Sequence, residues 1–194
     1  MNHVPIHRRT IDYQAFEEGD SIRVEARLQD TRPWAAGTSA VEQVHDMELH
    51  VTVSKGTMTI TEASARMNRF PHVECPQITP AFDGLIGLNI ARGYTRAVQE
   101  KFGRQFGCTH LETLARALGP VVIQSVTSCL AARVERGEIE DLMSGQTPSD
   151  PWALNTCHIW AEDGIAVSKI KLGWRPGRGT YPAPSVDDIA TGNA

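Results

Sequence analysis

The chain has 194 residues, 41% of them hydrophobic and 22% charged, with a formal net charge of −4. That is enough for one domain with a real core, and the acidic balance favours neither nucleic acid nor an anionic membrane as partner. The opening residues hold no secretory apolar run, and no stretch is read as approaching the roughly 20 apolar residues of a membrane helix. The chain is therefore expected in the cytoplasm, with its cysteines as thiols or ligands rather than disulfides.

The first third reads as antiparallel sheet. A strand from Arg8 to Phe16 meets a hairpin turn at Glu17-Glu18-Gly19-Asp20. In Ser21 to Gln29, Ile22, Val24, Ala26 and Leu28 then alternate with Arg23, Glu25, Arg27 and Gln29. Asp30 to Val44 contains Pro33 and Gly37 and reads as a long loop, a length often used for functional lids. Met47, Leu49, Val51 and Val53 resume the alternation, and a tight turn at Lys55-Gly56 leads into Thr57 to Ala65. Four strands with one apolar face need a cover.

Helices supply it. Ile90, Tyr94, Ala97, Val98 and Phe102 fit a 3.6-residue period. Thr109 and Glu112 form a Thr-x-x-Glu capping box, which makes Thr109 the predicted N-cap of a helix whose apolar face runs from Leu111 to Leu130. Gly119-Pro120 should kink or split that helix. A shorter helix is expected from Glu138 to Met143, then a connector over 144–151. Asp163-Gly164 reads as either a hairpin turn or a helix end. The sequence thus predicts one α+β domain over residues 1–172, with about four antiparallel strands packed on helices, and an extended or disordered tail over 173–194.

Chemistry concentrates where cysteines and histidines adjoin. Cys108 stands in Gly-Cys-Thr-His beside His110, just before a helix, where free N–H groups and the helix dipole favour a thiolate. Cys157-His158 follows the connector. Cys75 sits in a proline-bracketed loop with His72 and Glu74, and His45-Asp46 opens the third strand. By strand parity His45 shares the face of Met47, and Asp46 points away. His3, His7 and His50 read as solvated, and Cys129 as core. A metal set of Cys75, Cys108, Cys157, Asp46 and His158 has ligand types suited to zinc or iron. Without metal, Cys108, His110, His45 and Asp46 make a thiol–imidazole–carboxylate set for nucleophilic or acid–base catalysis. Arg96, Tyr94 and Trp34 are the candidate substrate contacts, since arginine with aromatics suits a small carboxylate or aromatic ligand. No dinucleotide, phosphate-loop or serine-hydrolase signature is present.

On these residues the chain resembles the bacterial domain of unknown function 2889 family. The resemblance rests on His45-Asp46-Met47, Cys75-Pro76, the block from Gly84-Leu85-Ile86-Gly87-Leu88 to Arg96-Ala97-Val98, Gly107-Cys108-Thr109-His110-Leu111, and Cys157-His158 with Asp163-Gly164. It implies a shared fold and site, and an association with bacterial catabolism of acyl-CoA or aromatic compounds. A fainter likeness to iron–sulfur scaffold proteins follows from the order of Asp46-Met47-Glu48-Leu49, Cys75 and Cys108, although Val44 and His45 stand where the scaffold has a cysteine.

Together these features point to a lyase-type enzyme acting on a small aromatic or carboxylated substrate. Cys108 is assigned as thiolate or ligand, His110 and His45 as acid and base, Asp46 as orienter or ligand, and Arg96 as carboxylate anchor. Hydrolase is the next reaction class. The rival is a non-catalytic metal or iron–sulfur carrier. Homo-oligomerisation is left open.

Overall fold

The computed structural model describes residues 3–144, 153–177 and 181–192. The fold is α+β. It resolves into two compact units, Met1–Val126 and Thr127–Ala194, with the boundary inside a helix.

In the first unit four strands form an antiparallel meander in the order β1 to β4: β1 (Arg8–Glu18), β2 (Ser21–Thr31), β3 (Gln43–Ser54) and β4 (Ile60–Arg69). Cross-strand rows build the inner face. Ile11, Leu28, Met47 and Met67 make one row; Tyr13, Ala26, Leu49 and Ala65 make the next; Ala15, Val24, Val51 and Ala63 make a third. Side chains alternate across a strand, so the same positions carry the core along its length. Ile22, Val24, Ala26, Leu28, Met47, Leu49, Val51 and Val53 are all essentially buried. The outer face is polar: Arg23 pairs with Glu18 and Glu25 and lies over the Phe16 ring, and Arg27 pairs with Asp46.

β2 and β3 outrun their expected limits. The alternation that begins at Ile22 continues through Asp30, so the connection to β3 is shorter than the predicted loop and carries a 3-10 turn at Pro33–Ala35. After β4, an eleven-residue 3-10 segment, Cys75–Leu85, buries Phe82 and Leu85. Helix α1 (Tyr94–Phe102) follows, starting four residues later than the periodicity at Ile90 suggested. Gly93 precedes it with φ of 65°, a left-handed conformation suited to glycine.

Helix α2 (Thr109–Glu135) has 27 residues and buries Leu111, Leu114, Ala115, Leu118 and Val122. The hydroxyl of Tyr13 donates to the Leu114 carbonyl at 3.1 Å, and that of Tyr94 to the Ala115 carbonyl at 2.9 Å. The helix continues through Pro120 as one element, so it is not split there. Proline removes one N–H from the ladder, while the burial of Leu118 and Val122 and the two tyrosine bonds hold the flanking turns. By length and composition α2 is long and apolar enough to cross a membrane, contrary to the sequence reading. Its end is a Schellman turn: Gly137, at φ 70°, donates to the Val134 carbonyl, and Glu138 N donates to the Arg133 carbonyl.

In the second unit the helix expected at Glu138–Met143 is replaced by turns, in which the Asp141 carboxylate accepts from the Met143 backbone N–H at 2.7 Å. Apart from Ser144, the predicted connector lies outside the described residues. Gly164 precedes helix α3 (Ile165–Lys171), which buries Ala166, Val167 and Ile170, so Asp163-Gly164 marks a helix start. The predicted extended tail contains a short helix, α4 (Val186–Thr191). Ser185 and Asp188 cap it reciprocally in a capping box.

Candidate functional site: a carboxylate shared by two histidines and an arginine

The inner face of the sheet is apolar row by row until its last row, where β1, β2 and β3 contribute Arg9, Asp30 and His45 side by side. A register shift just beyond Asp30 ends the regular pairing there. Helix α2 brings His110 from its first turn onto this row.

Asp30 is the hub. Its side chain is 2% exposed and meets four residues. Arg9 donates from Nε to Oδ1 and from Nη2 to Oδ2, both at 2.8 Å. His45 Nδ1 lies 3.2 Å and His110 Nε2 3.3 Å from Oδ2, and His7 Nε2 lies 3.2 Å from Oδ1. The Arg9 guanidinium, hydrogen-bonded to the carboxylate, holds the Asp30 pKa down to about 2 against the opposing effect of burial. Asp30 is therefore an ionised acceptor at neutral pH, and every ring nitrogen facing it carries a hydrogen.

His45 turns Nδ1 toward the carboxylate. His110 turns Nε2 toward it, so a neutral His110 carries its hydrogen there and leaves Nδ1 bare. The two rings lie 3.9 Å apart between centroids. Burial, joined by the neighbouring His45, lowers the His110 pKa below the ordinary imidazole value and outweighs the pull of Asp30. His110 is thus a neutral base at pH 7. Its bare Nδ1 faces Cys108 Sγ at 3.7 Å.

Cys108 is the N-cap of α2: its carbonyl accepts the Glu112 N–H at 2.8 Å, one position before the Thr109 cap expected from sequence. Gly107 is needed just ahead of it, because a Cβ there would stand 2.3 Å from the Phe102 carbonyl oxygen. The backbone thus sets the thiol beside His110.

The structure sorts the other sequence candidates differently. Asp46 is 4% exposed but lies on the outer face, as its parity implied, where Arg27 holds it by two hydrogen bonds of 2.8 and 2.6 Å. Tyr94 is buried and bonded to the Ala115 carbonyl. Arg96 pairs with Glu100 on the exposed face of α1. Trp34 is half exposed in the 3-10 turn. Cys75 is half-buried at the start of its 3-10 segment. Cys157 and His158 are exposed residues of the second unit. Among the described residues the expected metal set forms no ligand cluster. The cluster that does have metal-ligating groups is Asp30, His45 and His110, with donor atoms all within 4.8 Å of one another. Both carboxylate oxygens in it already face the Arg9 guanidinium.

Asp30, Arg9 and His7 were missed from sequence. The available signal was parity: Asp30 falls on the same face as Ile22, Val24, Ala26 and Leu28, and a carboxylate continuing an apolar face needs a partner.

No curated protein and no solved structure matches the chain. The family model described as protein of unknown function (DUF2889) matches residues 7–124, which span all four strands, His110 and the first half of α2. By that match, which covers more than half of its length and every residue of the Asp30 cluster, the chain belongs to the DUF2889 family.

Proposed function

We propose that the chain is a cytoplasmic enzyme of lyase type, cleaving a small carboxylated or aromatic substrate by acid–base catalysis at His45 and His110. The observation that supports it is the pair of imidazoles facing one oxygen of Asp30, at 3.2 and 3.3 Å. Asp30 is already paired with the Arg9 guanidinium, and two imidazolium rings 3.9 Å apart would repel, so the two rings share the proton work rather than both carry charge. In a lyase one ring takes the proton from substrate and the other delivers a proton to the leaving group. Arg9 is the candidate carboxylate anchor in place of Arg96. Two of its five N–H groups are spent on Asp30, and its side chain is 40% exposed.

Catabolism of aromatic compounds is the expectation that accompanies this reading. A panel of small hydroxy- and aryl-carboxylic acids, followed by mass spectrometry, tests it. Turnover should fall by about 100-fold or more in His110→Asn and in His45→Asn. A substrate consumed equally by both variants would defeat the assignment.

A zinc or iron carrier is the rival reading, supported by the spacing of the three donors. It requires Arg9 to release a carboxylate oxygen. Metal analysis of purified protein decides between the two, since a carrier retains stoichiometric metal and turns nothing over.

A further inference from the structure

We infer that Cys108, His110 and Asp30 form a nucleophile–base–orienter triad that accepts an acyl group from an ester or thioester. The geometry carries the inference. Cys108 Sγ lies 3.7 Å from His110 Nδ1, and the opposite ring nitrogen, Nε2, lies 3.3 Å from Asp30 Oδ2. A thiol, the near nitrogen of an imidazole and a carboxylate on its far nitrogen are the parts of a covalent acyl-transfer site, whatever the fold. Asp30 is fixed independently by Arg9, so the ring is oriented before any substrate arrives. The thiol also stands at the N-cap of α2, and the first N–H groups of a helix have no partner within it. They are donors for the oxygen that becomes negative during attack.

The Cys108 S–H proton passes to His110 Nδ1 while sulfur bonds to the carbonyl carbon and the C=O π electrons move to oxygen. The tetrahedral species collapses, the bond to the leaving oxygen or sulfur breaks, and His110 returns its proton to that atom. The S-acyl chain is then hydrolysed by water, which gives a proton to His110 Nδ1. Collapse of the second tetrahedral species releases the carboxylic acid and restores the thiol. Neither an oxidant nor a reductant is consumed.

The proposal shares His110 and Asp30 with the lyase reading but does not require His45. The two therefore fail separately: loss of the His45 effect with the acyl step intact defeats the first alone.

The test uses p-nitrophenyl acetate and the full chain. Wild type should release a burst of p-nitrophenolate stoichiometric with protein, with acetyl found on Cys108 by peptide mass spectrometry. Exposed Cys157 serves as the internal reference thiol. Acetylation of Cys108 relative to Cys157 should drop about 100-fold in His110→Asn and His110→Gln, and the burst should vanish in Cys108→Ala. Circular dichroism and urea midpoints check that each variant folds. The inference is overturned if wild-type Cys108 is acetylated no faster than Cys157, or if a folded His110 variant keeps the wild-type ratio.

Discussion

Asp30 and Asp46 face opposite sides of the same sheet, and each is held by two N–H groups of an arginine on an adjacent strand, Arg9 on the inner face and Arg27 on the outer. Their surroundings differ. Asp30 also meets three histidines, whereas Asp46 meets the amides of Gln29 and Gln43. Asp46→Asn should cost about 1–3 kcal/mol, the range for weakening a charged hydrogen bond, and leave turnover and Cys108 acylation intact. Asp30→Asn should abolish both. Urea midpoints with the acyl assay on each variant check this, and equal functional loss would remove the distinction between the faces.

The same cluster sets the acid stability of the fold. His110 has a depressed pKa when folded, so below the ordinary value of 6.5 the unfolded chain takes up a proton that the folded chain refuses. The stability present at neutral pH is lost as pH falls through that region. Asp30 acts lower: its unfolded carboxyl protonates near 3.8, while the folded one stays ionised to about 2, so its contribution fades between about pH 5 and pH 2. Urea midpoints across pH should fall in two stages. His110→Asn should flatten the first and Asp30→Asn the second.

How far this site was legible in the sequence turns on a few residues. Cys108 and His110 were visible because a capping box announces where a helix begins, and His45 was visible by parity with Met47. Asp30 was lost because its charge and the nearby Pro33 read as the end of a strand. In fact the buried position is tolerable because Arg9 lies across from it in the register, and pairing across strands cannot be read from one strand alone. The second unit was less legible still. Cys157-His158 looked like a site by adjacency, yet both side chains are exposed, and turns occupy the stretch where a helix was expected.

Gly107→Ala should act through the backbone. The added Cβ meets the Phe102 carbonyl oxygen, which cannot give way as a flexible side chain can. A cost of about 1–3 kcal/mol is expected, as for overpacking, together with slower acylation of Cys108 as the start of α2 shifts. Thermal melts and the p-nitrophenyl acetate burst report the two effects.

Tyr13→Phe isolates the tie between sheet and helix. It removes the donor to the Leu114 carbonyl while keeping the ring. The expected loss is about 0.5–1.5 kcal/mol in chemical unfolding, with the acyl step retained.

The tautomer of His110 decides whether its ring can serve Cys108. A long-range proton–nitrogen correlation spectrum of labelled protein at pH 7 distinguishes hydrogen on Nδ1 from hydrogen on Nε2. A neutral ring is expected, with its hydrogen on Nε2, toward Asp30, and a bare Nδ1 toward Cys108, and Asp30→Asn should weaken that preference. A His110 that carries its hydrogen on Nδ1, is doubly protonated at pH 7, or is indifferent to Asp30→Asn would contradict that role.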